Sequence, residues 1–491
     1  MSQSRRPGYP ARTKPELTGG RIWPWALVAA IVVLAVYRLT LTPDLTWANA
    51  ATDGGELITA SVTLGVPHPP GYPTYVVLGK LFSFLPVGSV AFRYNLFSAV
   101  CAAAAAGLLA AAYYRFWSPR VRPVAATAAA LAFAFLPLVW SQAVVAEVYS
   151  LNLLMLALFL LTWSRRGRAL HTGLWLGLAI TTHLSSALML PAAFISSGRQ
   201  GSRLAAGVAL GLAPLLLLPW LASGNSPVVW GRPDTVGGWW WLVSGRLYAA
   251  NLQFPTGVRL LALLQALAIG PALVAGRRLT ALRPTIQRID WAATGPRAGL
   301  MGGTAALYVV FATAYATPDA AVLLLPALML LALLLVPALE RLGVAALLLP
   351  LALAIAGYPD RTTDDAIRPR LLAEAVLEAA PADALILAPG DRTIFTLWYF
   401  QHVEGRRPDL RLVDASLFAF DWYRARLAAL NPDLYVPAAD DLTALQRLNE
   451  TERPFCTASL VGQPQPLPAA HLLDQSSGAR ASLLNCSEAR H

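Results

Sequence analysis

Charge is scarce in this sequence. Of its 491 residues only 13% are Asp, Glu, Lys or Arg, and 56% are hydrophobic. Soluble domains carry about 25% charged residues, so a water-bathed globule of this size is excluded. Lysine is nearly missing, with Lys14 and Lys80 the only two. The net charge of +11 therefore rests on arginine. The arginines fall in short clusters between apolar runs, which orients membrane spans and argues against a nucleic-acid face. A lysine-poor chain rich in Ala, Leu, Gly, Pro and Arg is what a GC-rich, bacterial genome encodes. Cysteine is scarce as well: three residues cannot build a four-cysteine metal site. Cys101 sits in an apolar helix and reads as a small core residue. Cys456 and Cys486 lie in a polar tail and pair only if that tail faces an oxidising compartment. No phosphate loop, dinucleotide fingerprint or HExxH motif occurs, and no paired broken helices mark a transporter. No cofactor or metal is expected.

What is present is a series of apolar runs near the roughly 20 residues that cross a bilayer. They lie at about 23–41, 92–117, 124–140, 147–163, 170–182, 185–195, 204–221, 258–275, 299–315, 320–336 and 344–357. The reading is a mainly α polytopic membrane protein of about eleven helices. A basic tail, 1–22, places the N-terminus in the cytoplasm. The small-residue triplet Ala48–Ala50 lies too far beyond the first run for a cleaved leader, so that run is an uncleaved anchor. The transmembrane domain spans 23–357, with a first outer loop at 42–91 and a second at 222–255. The first loop carries an interfacial helix, and the second carries "GGWWWLVSGRLY", whose tryptophans suit a membrane interface. From 358 to 491 charge returns and the strand–helix–strand pattern of a small α/β domain appears, on the outer face. The location expected is the plasma (inner) membrane, with the C-terminal domain outside the cytoplasm.

Ionisable residues at membrane depth are costly, so each is a functional candidate. At the outer ends of the spans they are Asp53, Glu56, His68, Arg93, Glu147, His183, Arg246 and Asp319. The richest stretch is "TDGGELITASVTLGVPHPPGYPTY", Thr52 to Tyr75. Asp53 and Glu56 have the spacing of a helix cap answered three residues later, and a capped helix is also a rigid mount for a reactive carboxylate. Tyr94 and Asn95 beside Arg93, and Tyr149 after Glu147, add polar groups. Composition and spacing reach a membrane protein with a polar outer site and name no reaction.

The block from Thr52 through "AFRYNLFSAV" resembles the hallmark of protein O-mannosyltransferase-like membrane proteins of the GT-C glycosyltransferase superfamily. That group includes the O-mannosyltransferase acting on plexin-type receptor domains. The likeness continues in "WSQAVVAEVYSLNLLML", "GLAITTHLSSALMLP", "TPDAAVLLLPALMLLALLL" and "LWYFQHVEGRRPDLRLV". It departs at Gly54, where the family commonly has Ser. The resemblance implies transfer of a hexose, mannose foremost, from a polyprenyl-phosphate sugar to a Ser or Thr hydroxyl of an exported protein, with inversion. It implies Asp53 as general base, Glu56 as its partner or an acceptor-binding group, and His68, Arg93, Tyr94, Asn95 and His183 as phosphate or sugar contacts. Glu147, Tyr149, Arg246 and Asp319 line the cavity. Two other readings stay open: the same chemistry on a glycan, lipid or cell-wall polymer, and a non-catalytic protein that binds or moves lipid-linked sugar.

Overall fold

A computed structural model of the chain describes residues 21–164, 167–266, 291–358, 368–458 and 483–487. Most of the basic tail, Arg165, Arg166 and the end of the eighth predicted run lie outside the described residues.

The membrane part comprises α1 (Trp23–Leu39), α2 (Gly54–Thr63), α3 (Pro73–Phe82), α4 (Val90–Trp117), α5 (Pro123–Ala134), α6 (Pro137–Ala143), α7 (Tyr149–Trp163) and α8 (Ala169–Thr182). There follow α9 (Leu190–Ser197), α10 (Gly201–Leu212), α11 (Leu218–Ala222), α12 (Val236–Val243), α13 (Gly257–Ala266), α14 (Trp291–Ala314), α15 (Leu325–Leu342) and α16 (Leu348–Gly357). Among the described residues three helical runs are long and apolar enough to cross a membrane: Val90–Trp117, Leu184–Ala222 and Ala320–Gly357. A fourth is added if α5 and α6, bent by 69°, are one span. The expected count of about eleven spans is thus not confirmed by the described residues. Two of the long runs break at glycines with left-handed φ, Gly198 (+50°) and Gly343 (+59°), and so are built of shorter segments.

Helix α1 shows how the bundle meets its solvent. It exposes Leu27, Val28 and Ile31 and buries Ala26, Ala29, Val33 and Tyr37. Large aliphatic side chains face outward, while Ala26 and Ala29 let the neighbouring helices approach closely beside the buried Tyr37. The tightest seam joins α8 and α10. A Cβ at Gly173 would stand 2.1 Å from the Leu204 carbonyl oxygen, and one at Gly207 would stand 2.1 Å from that of Leu170. Only glycine lets two backbones come this close.

The C-terminal domain contains α17 (Arg368–Ala379), β1 (Leu385–Ala388), α18 (Asp391–His402), β2 (Arg411–Asp414), α19 (Asp421–Leu430), α20 (Leu442–Asn449), β3 (Phe455–Ala458) and β4 (Leu484–Ser487). Its sheet runs in the order β2-β1-β3-β4. The first three strands are parallel, and β4 is antiparallel to β3. The strand–helix–strand pattern corresponds to β1, α18 and β2, while β3 and β4 went unread in the sequence. Cys456 and Cys486 face each other across β3 and β4 and form a disulfide. Cys101 is a buried free thiol.

This domain sits directly on the first loop. A Cβ at Gly55 would lie 2.4 Å from the Phe395 carbonyl oxygen, so α2 and α18 touch backbone to backbone. Trp47 donates its indole N–H to Thr396 (3.2 Å), and the Ala91 amide donates to the Tyr399 hydroxyl (3.2 Å). Arg370 bridges Asp44 of the loop to Glu404 of its own domain, at 2.6 and 2.8 Å.

Candidate active site

The site is built from α2 and the proline-rich turn after it. Leu64 ends α2 in the left-handed conformation (φ 55°), and the Gly65 amide closes back on the Ala60 carbonyl at 2.7 Å. The chain then pairs with the second loop. Val66 N–H donates to Val228 O (2.8 Å), and Trp230 N–H donates to Val66 O (3.0 Å). Gly71 (φ 87°) and Tyr72 (φ 41°) reverse the turn so that it enters α3 at Pro73. His68 is thereby carried back over the N-terminus of α2.

The capping box expected of Asp53 and Glu56 does not form. Asp53 is the N-cap residue, but its side chain makes no capping hydrogen bond. Glu56 is fully buried and spends both oxygens on one residue. Oε1 accepts the backbone N–H of His68 at 2.9 Å, and Oε2 pairs with its ring Nδ1 at 2.5 Å. The far side of the imidazole, Nε2, faces Asp53 Oδ2 at 3.8 Å, an ion-pair separation beyond hydrogen-bond reach. The physical reason is burial. A desolvated carboxylate demands a charged partner more strongly than a helix end demands a cap.

Three rings enclose the imidazole edge-on: Tyr72, Trp230 and Tyr248, at centroid distances of 5.1, 6.1 and 6.5 Å. Burial alone would lower the His68 pKa, yet the Glu56 and Asp53 carboxylates raise it to about 10, so the ring is a cation at neutral pH. For Asp53 burial dominates and raises the pKa to about 6, opposed by His68 and reinforced by Glu56, Asp391 and Asp319. Its side chain is nonetheless 37% exposed, so the carboxylate faces an opening.

Other sequence candidates divide into two groups. Glu147, in the connector before α7, is buried and lies within the electrostatic field of Asp53, His68 and Asp319. Tyr149 packs against His183 (5.4 Å), whose Nδ1 pairs with the Ser185 hydroxyl at 2.8 Å. These residues converge on the Asp53 side of the cluster. Arg246 is exposed on the 246–251 turn that also presents Tyr248. The α4 trio does not converge. The Arg93 guanidinium is taken up by the carbonyls of Ser83, Val87 and Gly88. Asn95 donates to the carbonyls of Thr42 and Asp44, and Tyr94 packs against Tyr75. They brace the loop, because a helix start beneath a loop must satisfy that loop's unpaired carbonyls.

Residues that sequence reasoning missed are Tyr72, Trp230, Tyr248 and Asp391. Tyr72 stood inside the quoted motif and Trp230 in "VVWGRPD". Asp391 opens α18 of the C-terminal domain, after Gly390 (φ 80°), and its field reaches Asp53. Only its "PGD" turn hinted at it.

Residues 53–198 match the family model described as the protein O-mannosyl-transferase TMEM260 N-terminal domain, and residues 369–431 match TMEM260-associated domain 2. Among curated proteins, protein O-mannosyl-transferase TMEM260 of Mus musculus is 27% identical, over 84% of this chain and 67% of its own length. Its counterpart in Dictyostelium discoideum is 31% identical over 29% of this chain and 18% of its own. Among solved structures, ArnT from Cupriavidus metallidurans bound to undecaprenyl phosphate superposes with a TM-score of 0.58 at 16% identity, covering 89% of this chain and 93% of that one. The apo form of ArnT gives the same TM-score. The fold shared with ArnT and the named relatives together support a membrane glycosyltransferase of the GT-C type. Within that class the chain is similar to the protein O-mannosyl-transferase TMEM260 family, whose models match residues 53–198 and 369–431.

Proposed function

We propose that this protein transfers mannose from a polyprenyl-phosphate sugar to a Ser or Thr hydroxyl of an exported protein, with Asp53 as general base. The observation that carries the reading is the Asp53 carboxylate, mounted at the start of α2 and open on one side, with the His68 imidazole 3.8 Å behind it. The acceptor oxygen attacks the anomeric carbon from the face opposite the phosphate, its proton passing to Asp53. The bond from that carbon to the phosphate oxygen breaks, and polyprenyl phosphate leaves with the electron pair, so configuration inverts. Phosphate is a good leaving group, and the demanding task is making the hydroxyl nucleophilic. Developing charge on the phosphate is met by the His68 imidazolium. A lipid-phosphate donor is supported by the fold shared with ArnT, whose structure holds undecaprenyl phosphate. A protein acceptor is supported by the named relatives. The Cys456–Cys486 disulfide supports an oxidising, extracytoplasmic location for the C-terminal domain.

The test is transfer of radiolabelled mannose from polyprenyl-phosphate mannose to an acceptor polypeptide by purified protein. Asp53→Asn should lose at least a hundredfold in kcat. Wild-type rates from that variant would remove Asp53 from the role of base. Release of polyprenyl phosphate with a glycan acceptor but no polypeptide would move the reaction to that other acceptor class.

A further inference from the structure

We propose that Glu56 is a positioning residue that acts through His68 alone, fixing the imidazole as a doubly protonated cation with its Nε2–H presented beside Asp53. This deepens the transferase reading and rests on it for the reaction, though not for the protonation state. The pair Asp53 and Glu56 looks like two candidate catalytic carboxylates, but the geometry gives them unlike tasks. Glu56 is fully buried, and its two oxygens form a two-point grip on a single residue, one on the backbone and one on the ring. Such a grip sets both where His68 stands and which way its ring turns, with Nδ1 consumed and Nε2 free. The rings of Tyr72, Trp230 and Tyr248 pack edge-on around it. Glu56, fully buried with both oxygens engaged on His68, is therefore not presented to an acceptor hydroxyl or a sugar, and it is not a catalytic residue.

The consequence is a site whose charges are separated by function. Asp53 is the exchangeable carboxylate, 37% exposed, and Glu56 is the permanent counter-ion. The groups whose fields reach His68 are Asp53 and Glu56 of α2, Glu147 ahead of α7 and Asp391 of α18, all acidic. His183 beyond α8 is the nearby group of the opposite tendency, and Tyr72 and Tyr248 are the phenols against the ring. Among them only Glu56 hydrogen-bonds the imidazole. Removing its charge therefore takes away the strongest support for the second ring proton while leaving the volume in place.

The experiment uses the full-length protein in detergent or nanodiscs, uniformly labelled with 15N-histidine, with the His68 signal assigned by its loss in His68→Gln. At pH 8 the wild type should show both His68 ring nitrogens protonated. Glu56→Gln, nearly isosteric, should show a neutral ring with one bare nitrogen. In parallel, kcat is measured from pH 5.5 to 9.5. The wild type should hold its activity to the alkaline end, whereas Glu56→Gln should stay within a few-fold at pH 6 and fall at least tenfold by pH 8.5. A merely structural role predicts an equal loss at every pH and an unchanged His68 spectrum, and either result overturns the proposal. Activity of Glu56→Gln that is equal to wild type throughout, with a neutral His68, overturns it too. The NMR arm needs no turnover, so a failure of the transferase reading leaves this inference separately decidable.

Discussion

Gly55→Ala is the sharpest test of how the C-terminal domain and the reactive helix are joined. A methyl group there would stand 2.4 Å from the Phe395 carbonyl oxygen and 2.7 Å from its carbon. That is about 1 Å inside ordinary contact. Backbone cannot rotate away as a side chain can, so α2 and α18 must separate. Overpacking of this kind costs about 1–3 kcal/mol, against a gain of about 1 kcal/mol from replacing helical glycine by alanine. The net loss of stability is about 0–2 kcal/mol. The larger effect is on chemistry, because Gly55 lies between Asp53 and Glu56 and a displacement of about 1 Å can cost a hundredfold in rate. Gly54→Ala is the matched control: its methyl meets the Ala146 carbonyl oxygen at 3.4 Å, an ordinary contact. Thermal unfolding in detergent and mannosyl transfer are measured on both variants. Gly55→Ala should transfer at least tenfold more slowly, with Gly54→Ala near wild type. Equal activity in the two would refute the backbone contact as the element that sets the height of Asp53.

Further outcomes follow from the same geometry. Transfer should rise as pH climbs through about 6, because burial raises the Asp53 pKa to that value and only the carboxylate accepts a proton. The His68 ion pair contributes stability fully below pH 6.5 and loses it as pH rises through about 10, since its folded pKa lies above its unfolded one. Unfolding temperature measured across that window should therefore drop toward the alkaline end, and the drop should vanish in His68→Gln. Asp44→Ala should loosen the domain seam, seen as faster proteolysis between the domains, because Arg370 then keeps only the carboxylates of its own domain. Reducing Cys456–Cys486, which are 30 residues apart, should cost the C-terminal domain about 3–4 kcal/mol by chain entropy, measured by denaturant unfolding.

Much of this molecule was legible without coordinates because it is local. Apolar runs announce a membrane protein, since the cost of exposing backbone polar groups to lipid forces helices. Asp53, Glu56 and His68 fall within one short motif, and their residue types alone mark them. The disulfide partners could be named because the described chain offers only one other cysteine, buried in a helix. Where span counting and the backbone part company, at the α5–α6 bend and at Gly198 and Gly343, hydropathy registers apolar length but not direction.

Tertiary structure decided the rest. The interval from Asp53 to Glu56 favours a capping box on local grounds, yet burial redirected Glu56 to His68, because an unpaired carboxylate in a dry interior costs more than an uncapped helix. Arg93 and Asn95 have the chemistry of phosphate ligands, but the loop folded above them left bare carbonyls that claimed their donors. Asp391 and Tyr248 lie hundreds of residues from Asp53 and joined its environment only when α18 and the second loop packed down. Residue types establish which chemical groups exist and that they must be sheltered at a membrane. Which group pairs with which is a competition for partners in three dimensions, and packing alone settles it.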